Sequence, residues 1–272
     1  MASAAAAPID IAMEIEVDPQ SLPPAQPAAT VVIFRRGQES DAPELLMLVR
    51  SKTLSFVGGA AVFPGGRVDP ADFELAASLA PEQEADEIAH RIAAIRETLE
   101  ETGLAIGLTQ PVNASDATAA RAMLHEGASL AEVLGQFDWN LAFDALTPFA
   151  QWLPRFKHTR IFDTRFYLTD LGTGAVDIAV DGTENTRMFW ASARDALAMA
   201  DSGKIKAIFP TRRNLERLAQ FNDFAAARAD AERHPILPVT PWIDERDGKK
   251  IVRIREDCGY PVCWGHLSEV AG

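Results

Sequence analysis

Ile88, Ile92, Ile95 and Leu99 fall at spacings of four, three and four residues. That rhythm puts them on one stripe of an α-helix and predicts a helix from Ala85 to Thr102. Gly103 supplies the stop, a residue that tolerates the left-handed conformation of a helix cap. At about 100° per residue, Glu97 lies roughly opposite the stripe, with Glu101 beside it and Glu100 on the flank. Such a helix must lay its apolar side on another layer of structure, and its last turns then carry three carboxylates. Carboxylates at a helix C-terminus face the negative end of the helix dipole, so a counter-ion is favoured there. A hard divalent cation suits an all-oxygen set of this kind. A solvated face, with Arg96 and Glu100 as an ordinary i,i+4 pair, accounts for the same pattern. The helix alone leaves both readings open.

The surroundings narrow the choice. The helix ends in Arg96-Glu97-Thr98-Leu99-Glu100-Glu101-Thr102-Gly103-Leu104, and a Phe63-Pro64-Gly65-Gly66 turn precedes it. Arg-Glu-x-x-Glu-Glu-x-Gly-apolar after a Gly-Gly turn resembles the Nudix box of the Nudix hydrolases. The second half of the box is complete, and Gly66 stands for its leading glycine. The stretch from Gly66 to Arg96 is longer than in the ordinary box and implies an insertion. Counted back from Arg96, the place of the first box glutamate holds Ile88, with Glu87 and Glu84 nearby. Asp69-Pro70-Ala71-Asp72 reads as the cap and first turn of a short helix within the insertion.

A second motif lies upstream. Leu45 to Arg50 and Ser51, then Gly59, then the Phe63 to Gly66 turn resemble the additional motif of coenzyme A pyrophosphatases within the Nudix family. Ser55 stands where an arginine is often found. The long loop inside the box resembles the same branch. The two motifs together cover residues 45 to 104.

The resemblance implies an α/β fold, a Nudix-type α/β/α sandwich with a mixed sheet. It implies Mg²⁺ or Mn²⁺ held by Glu97, Glu100, Glu101 and the Gly66 carbonyl, with Arg96 paired to a glutamate. Glu101 or Glu184 would be the general base. Arg50, Ser51, Lys52 and Gly65 are the candidate substrate contacts. The implied reaction is hydrolysis of a diphosphate bond, in coenzyme A or an acyl derivative, to 3',5'-ADP and a 4'-phosphopantetheine. ADP-ribose or dinucleotide hydrolysis is the nearest alternative. A Nudix-fold protein that binds a nucleotide without cleaving it is the next.

Composition adds bounds. A chain of 272 residues that is 47% hydrophobic can bury a substantial core. A formal charge of -13 leaves no basic surplus for nonspecific binding of nucleic acid, yet bound cations can still draw in a phosphorylated small molecule. No apolar run is long enough to suggest a membrane span. Cys258 and Cys263 are the two cysteines, which fits a reducing compartment. Residues 1–29 are rich in Ala and Pro, lack Lys and Arg, and read as a flexible arm without the marks of a secretory or transit leader. The last residues are not a peroxisomal tripeptide, so a cytoplasmic location is expected. A homodimer is compatible with the composition.

The domain is expected over residues 30–272. Thr30 to Arg35 and Leu45 to Arg50 read as a hairpin. Residues 113–155 change character and read as a helical insertion, with helices Asp116 to Glu126 and Leu130 to Phe137. Strand patterns follow around Arg160 to Leu168 and over Asp177 to Asp181, and Glu184 precedes a Met188-Phe189-Trp190 strand. Helices are expected over Ser192 to Ala200 and from Pro210 to about Arg233, the latter capped by Thr211. Arg212 and Arg213 could meet phosphate or simply be solvated. The tail reads as two strands about Asp247-Gly248. Cys258, Cys263 and His266 lack the regular spacing and fourth ligand of a zinc site.

Overall fold

The computed structural model describes residues 22–37, 42–51, 59–79, 82–155, 161–171 and 185–267. Its spine is strand β1, Ala25–Arg35. Val31 and Ile33 point to one side of the sheet, and Val32 and Phe34 to the other, the two-residue alternation of a strand. All four are buried, so β1 must be covered on both faces. It is, and two separate apolar clusters result.

β1 pairs antiparallel with β2, Glu44–Arg50, completing the expected hairpin. It pairs antiparallel with the short β4, Gly65–Arg67. It also runs parallel to β6, Ile161–Asp170, from Ala25 opposite Ile161 to Phe34 opposite Asp170. β3, Ala61–Val62, and β7, Asn185–Ala191, both pair with β2. On the far side β5, Thr147–Trp152, joins β6 antiparallel, and β8, Pro238–Val239, joins β5 in parallel. The result is a mixed eight-stranded sheet.

One face carries α1, Pro70–Leu79, then α2, Glu82–Thr102, and α3, Ala114–His125, with α4, Leu130–Phe137. The stripe that predicted α2 is its packed side: Ile92, Ile95 and Leu99 are buried with Val31, Ile33 and Tyr167, and Ile88 packs at their margin. The other face carries α5, Ala193–Asp201, α6, Phe209–Leu218, and α7, Phe224–Arg233. Helices on both faces of a mixed sheet make the α/β/α sandwich. A small separate sheet, β9 (Trp242–Arg246), β10 (Lys249–Arg253) and β11 (Trp264–His266), closes the chain. Asp247 and Gly248 both take positive φ, as a tight hairpin turn demands.

Four expectations need correcting. Strand β1 begins at Ala25, inside the segment read as a loose arm, because ladder pairing to β6 does not need β-branched residues. The insertion at 113–155 is helical only in its first part; Thr147–Trp152 is a strand of the main sheet, and Phe149, Ala150 and Trp152 are buried there. The helix expected from Pro210 to Arg233 is two helices, broken where the Asp223 side chain accepts from Ala226 N at 2.7 Å and caps the second. The first of them is entered through Ile208, not capped by Thr211. The strand expected at Asp177 to Asp181, and residues 1–21 of the arm, lie outside the described residues. Among the described residues, no helix is long and apolar enough to cross a membrane.

Candidate active site

The site forms where the end of α2 meets β4 and the turn before it. Val31 N donates to Pro64 O at 2.9 Å and docks that turn on β1. The Gly65 N–H then donates to Glu101 Oε2 at 2.9 Å. Gly66 lies against Glu97: a Cβ added there would sit 2.4 Å from Glu97 Cδ and 2.5 Å from each carboxylate oxygen. The glycine is therefore needed for the approach itself. Gly103 ends the helix with φ +78, as its position predicted.

Arg96 is 7% exposed and is the hub. Its guanidinium donates to Asp72 through Nε, at 3.1 Å to Oδ1, and through Nη2, at 2.9 Å to Oδ2. Nη2 also donates to Arg67 O at 2.9 Å. Nη1 donates to Glu97 Oε1 at 2.8 Å and lies 3.5 Å from Glu100 Oε2. The expected pairing of Arg96 with a glutamate is present, but Asp72 takes the fork. Asp72 keeps the usual distance of the first box acid from Gly66, counted forward rather than back from Arg96. Its Oδ2 also accepts from Asp69 N at 2.8 Å, at the start of α1. Glu87, by contrast, faces Arg91, Arg165 and Tyr167, away from Arg96.

Glu101 is 6% exposed. Besides Gly65 it accepts from Asn185 Nδ2, at 2.9 Å to Oε1. Behind it, Arg121 of α3 donates to the Glu100 and Glu101 carbonyls at 2.9 and 3.0 Å. This offsets the negative end of the helix dipole. Burial pushes the Glu101 carboxyl up to about 8, against the pull of the Gly65 and Asn185 hydrogen bonds. Burial likewise pushes Glu97 up to about 7, with Glu100 adding repulsion and Arg96 opposing.

Among the described residues no three carboxylate, thiolate or imidazole side chains are already gathered about one point. Glu97 and Glu100 turn instead to Arg96, and Glu101 to its two donors. The donor chemistry still fits a hard divalent cation. The ligating atoms on offer are all oxygens on adjacent turns, Glu101 is buried with only neutral donors on its two oxygens, and Glu97 and Glu100 share Arg96 with Asp72.

Of the substrate candidates, Arg50 reaches the site. It ends β2 opposite Asn185, at a register shift, and its charge acts on Glu101. Gly65 is in place through its N–H. Ser51 follows Arg50 and is half-buried. Lys52 and Glu184 lie outside the described residues. Asp72, Arg121 and Asn185 are participants that the sequence reading missed. Asp72 had a signal in its spacing from Gly66. Asn185 had only its neighbour Glu184 to point to it, and Arg121 had none, because each meets α2 only through the tertiary fold.

A buried arginine–carboxylate hub beside a glutamate-bearing helix end, on a mixed sheet between helices, defines a Nudix-type site. A NUDIX domain model matches residues 24–209. The chain belongs to the Nudix hydrolases, a family of pyrophosphohydrolases. It is similar to a Caenorhabditis elegans protein that carries the name nudix hydrolase 7, with 30% identity over 66% of this chain and 57% of that protein. The match thus spans little more than half of the worm relative. It is also similar to acyl-coenzyme A diphosphatase NUDT19 of Gallus gallus, with 28% identity over 75% of this chain and 71% of that protein. Among solved structures, a NUDIX hydrolase from Alicyclobacillus acidocaldarius shares 27% identity over 77% of this chain and 97% of that one, with a TM-score of 0.66.

Proposed function

We propose that the chain hydrolyses the diphosphate bond of coenzyme A or an acyl-coenzyme A, with Mg²⁺ or Mn²⁺, giving 3',5'-ADP and an (acyl-)4'-phosphopantetheine. The observation that carries the substrate is Arg50. The motif arginine ends its strand opposite Asn185, the residue that holds Glu101. The similarity to an acyl-coenzyme A diphosphatase over 75% of the chain supports the same substrate.

Glu97, Glu100, Glu101 and the Gly66 carbonyl would hold the cation. When bound, it neutralises phosphoryl charge and lowers the pKa of water at the diphosphate. The protein's own residues set the stage. Arg96, anchored by Asp72, limits where Glu97 and Glu100 can swing. The Gly65 N–H and the Asn185 amide fix both Glu101 oxygens. Glu101, held by its two donors, is one general-base candidate; Glu184, next to Asn185 in sequence, is the other. Arg50, Ser51 and Lys52 would meet the nucleotide, Arg50 or Lys52 taking the 3'-phosphate.

Product chromatography on coenzyme A, dephospho-coenzyme A and ADP-ribose tests this. Coenzyme A is expected to have the highest kcat/KM, with 3',5'-ADP as a product and no turnover in excess EDTA. Arg50→Ala should lose more on coenzyme A than on dephospho-coenzyme A. A preference for ADP-ribose would remove the substrate assignment and leave the family in place.

A further inference from the structure

Asn185 opens β7 and is 1% exposed. A buried amide at a strand end has to be aimed at something, since an amide stripped of water without a partner is costly. Here Nδ2 donates to Glu101 Oε1 across the interior, while Gly65 N holds Oε2 from the opposite side. The two donors pin the carboxylate plane. They come from different elements, β7 and the turn entering β4, so the plane is fixed only when both elements are docked.

The residue type matters as much as the place. A Lys or Arg here would pair with Glu101 outright and compete with a cation for its charge. An Asp would set a second carboxylate against the first. A neutral donor orients Glu101 and leaves its charge unneutralised. Each carboxylate oxygen has two lone pairs, so one remains on each after the hydrogen bonds are made.

We propose that Asn185 is a positioning residue that sets the orientation of Glu101 for cation binding, and so couples strand β7 to the metal affinity of the site. The inference rests on the metal reading above. Donors behind metal-ligating carboxylates commonly contribute about 10–100-fold in affinity. Asn185 also lies beside Arg50 at the register shift that ends the β2–β7 ladder, so the residue that aims Glu101 neighbours the candidate nucleotide contact.

The test is Mn²⁺ binding to the full chain without nucleotide, read from the electron paramagnetic resonance of the free ion. Wild type, Asn185→Ala, Asn185→Leu, Glu101→Gln and Thr186→Val are compared. Leu roughly keeps the volume of Asn and removes the donor. Thr186 is exposed on the same strand, with its hydroxyl on Val49 O at 3.2 Å, and its variant controls for loosening of β7. Both Asn185 variants are expected to bind Mn²⁺ about tenfold or more weakly, with Thr186→Val unchanged. In turnover they should lose kcat while KM for the nucleotide holds. Wild-type affinity for Mn²⁺ in a folded Asn185 variant would overturn the role of Asn185 alone. No Mn²⁺ binding by wild type, or undiminished binding by Glu101→Gln, would overturn the metal reading and this inference with it. Failure of both Asn185 variants to fold would assign the residue to the scaffold and overturn the proposal.

Discussion

Asp72 and Arg96 form a buried forked ion pair that joins the first turn of α1 to the last turns of α2, with Asp72 2% and Arg96 7% exposed. Asp72 follows Gly66 directly enough to keep its usual place, and the additional residues of the long box lie between the pair. The insertion thus lengthens the chain between two partners without separating them.

Asp72→Ala leaves the Arg96 guanidinium buried with Glu97, Glu100 and, at 3.7 Å, Asp69 as its remaining carboxylates. Breaking a buried pair from one side typically costs about 3–5 kcal/mol. The Asp72→Ala variant is expected to fall at the lower end, because Glu97 and Glu100 still compensate, and to lose activity as Arg96 draws them in. Arg96→Lys should behave similarly, since an ammonium cannot make the fork. Urea denaturation and turnover check both. An Asp72→Ala protein of wild-type stability would show that the pair is not structural.

The buried glutamates make stability depend on pH with a definite sign. Glu101 goes from an ordinary 4.5 to about 8 on folding, so the folded state holds its proton more tightly. Its contribution is fully present below about 4.5 and is lost as pH rises towards about 8. Glu97, pushed to about 7, acts in the same direction. Metal-free protein in EDTA should therefore lose melting temperature across that window, and Glu101→Gln should flatten the loss. Mg²⁺ should restore more at pH 8 than at pH 5, because bound carboxylates must be deprotonated. Melts at four pH values, with and without Mg²⁺, decide it. An Mg²⁺ effect equal at both ends would contradict the assignment.

The two sides of α2 should separate function from fold. Glu101→Gln is expected to cost several orders of magnitude in turnover while the protein still melts cooperatively. Leu99→Ala, on the packed side, is expected to cost about 2–5 kcal/mol and to keep activity at temperatures where it remains folded. Near-normal turnover by Glu101→Gln would mean that the carboxylate face has no catalytic part.

Adjacent glycines should fail differently. A Cβ on Gly65 would meet the Ala29 backbone O at 2.2 Å, an atom fixed in strand β1, at φ +152. Gly65→Ala should therefore destabilise the docking of the turn and lower the melting temperature. On Gly66 the obstacle is the Glu97 carboxylate, the movable end of a side chain. Gly66→Ala should melt near wild type yet lose most activity. Equal melting temperatures for the two variants would refute the distinction.

What the sequence made legible was local. The apolar stripe gave α2, Gly103 its end, and the carboxylate positions followed from helix geometry. The β1–β2 hairpin and the Asp247-Gly248 turn were equally local. Phe149 and Trp152 fell inside the stretch read as a helical insertion because the β6 partner that makes Thr147–Trp152 a strand comes later in the chain. The break between α6 and α7 rests on one aspartate choosing a cap over a helical interior. Arg121 becomes legible only in space, since nothing near it in sequence marks α2 as its partner; Asn185 stands beside the candidate Glu184, but its own part shows only in its bond to Glu101. Helix geometry put Glu97 and Glu101 opposite the stripe but did not show that the turn from Phe63 to Gly66 and the start of β7 cover that side.

During synthesis, the whole of β1 leaves the ribosome long before the strand that lies parallel to it, Ala25 waiting for Ile161 and Phe34 for Asp170. Pairing between such distant segments is slow to form, because the loop between them must be closed first. The glutamate helix is thus made before one side of the sheet beneath it exists. A nascent chain ended ahead of Ile161 should stay open to protease, and one carried past Asp170 should begin to resist. The order of manufacture leaves the apolar stripe of α2 short of its floor until β6 arrives.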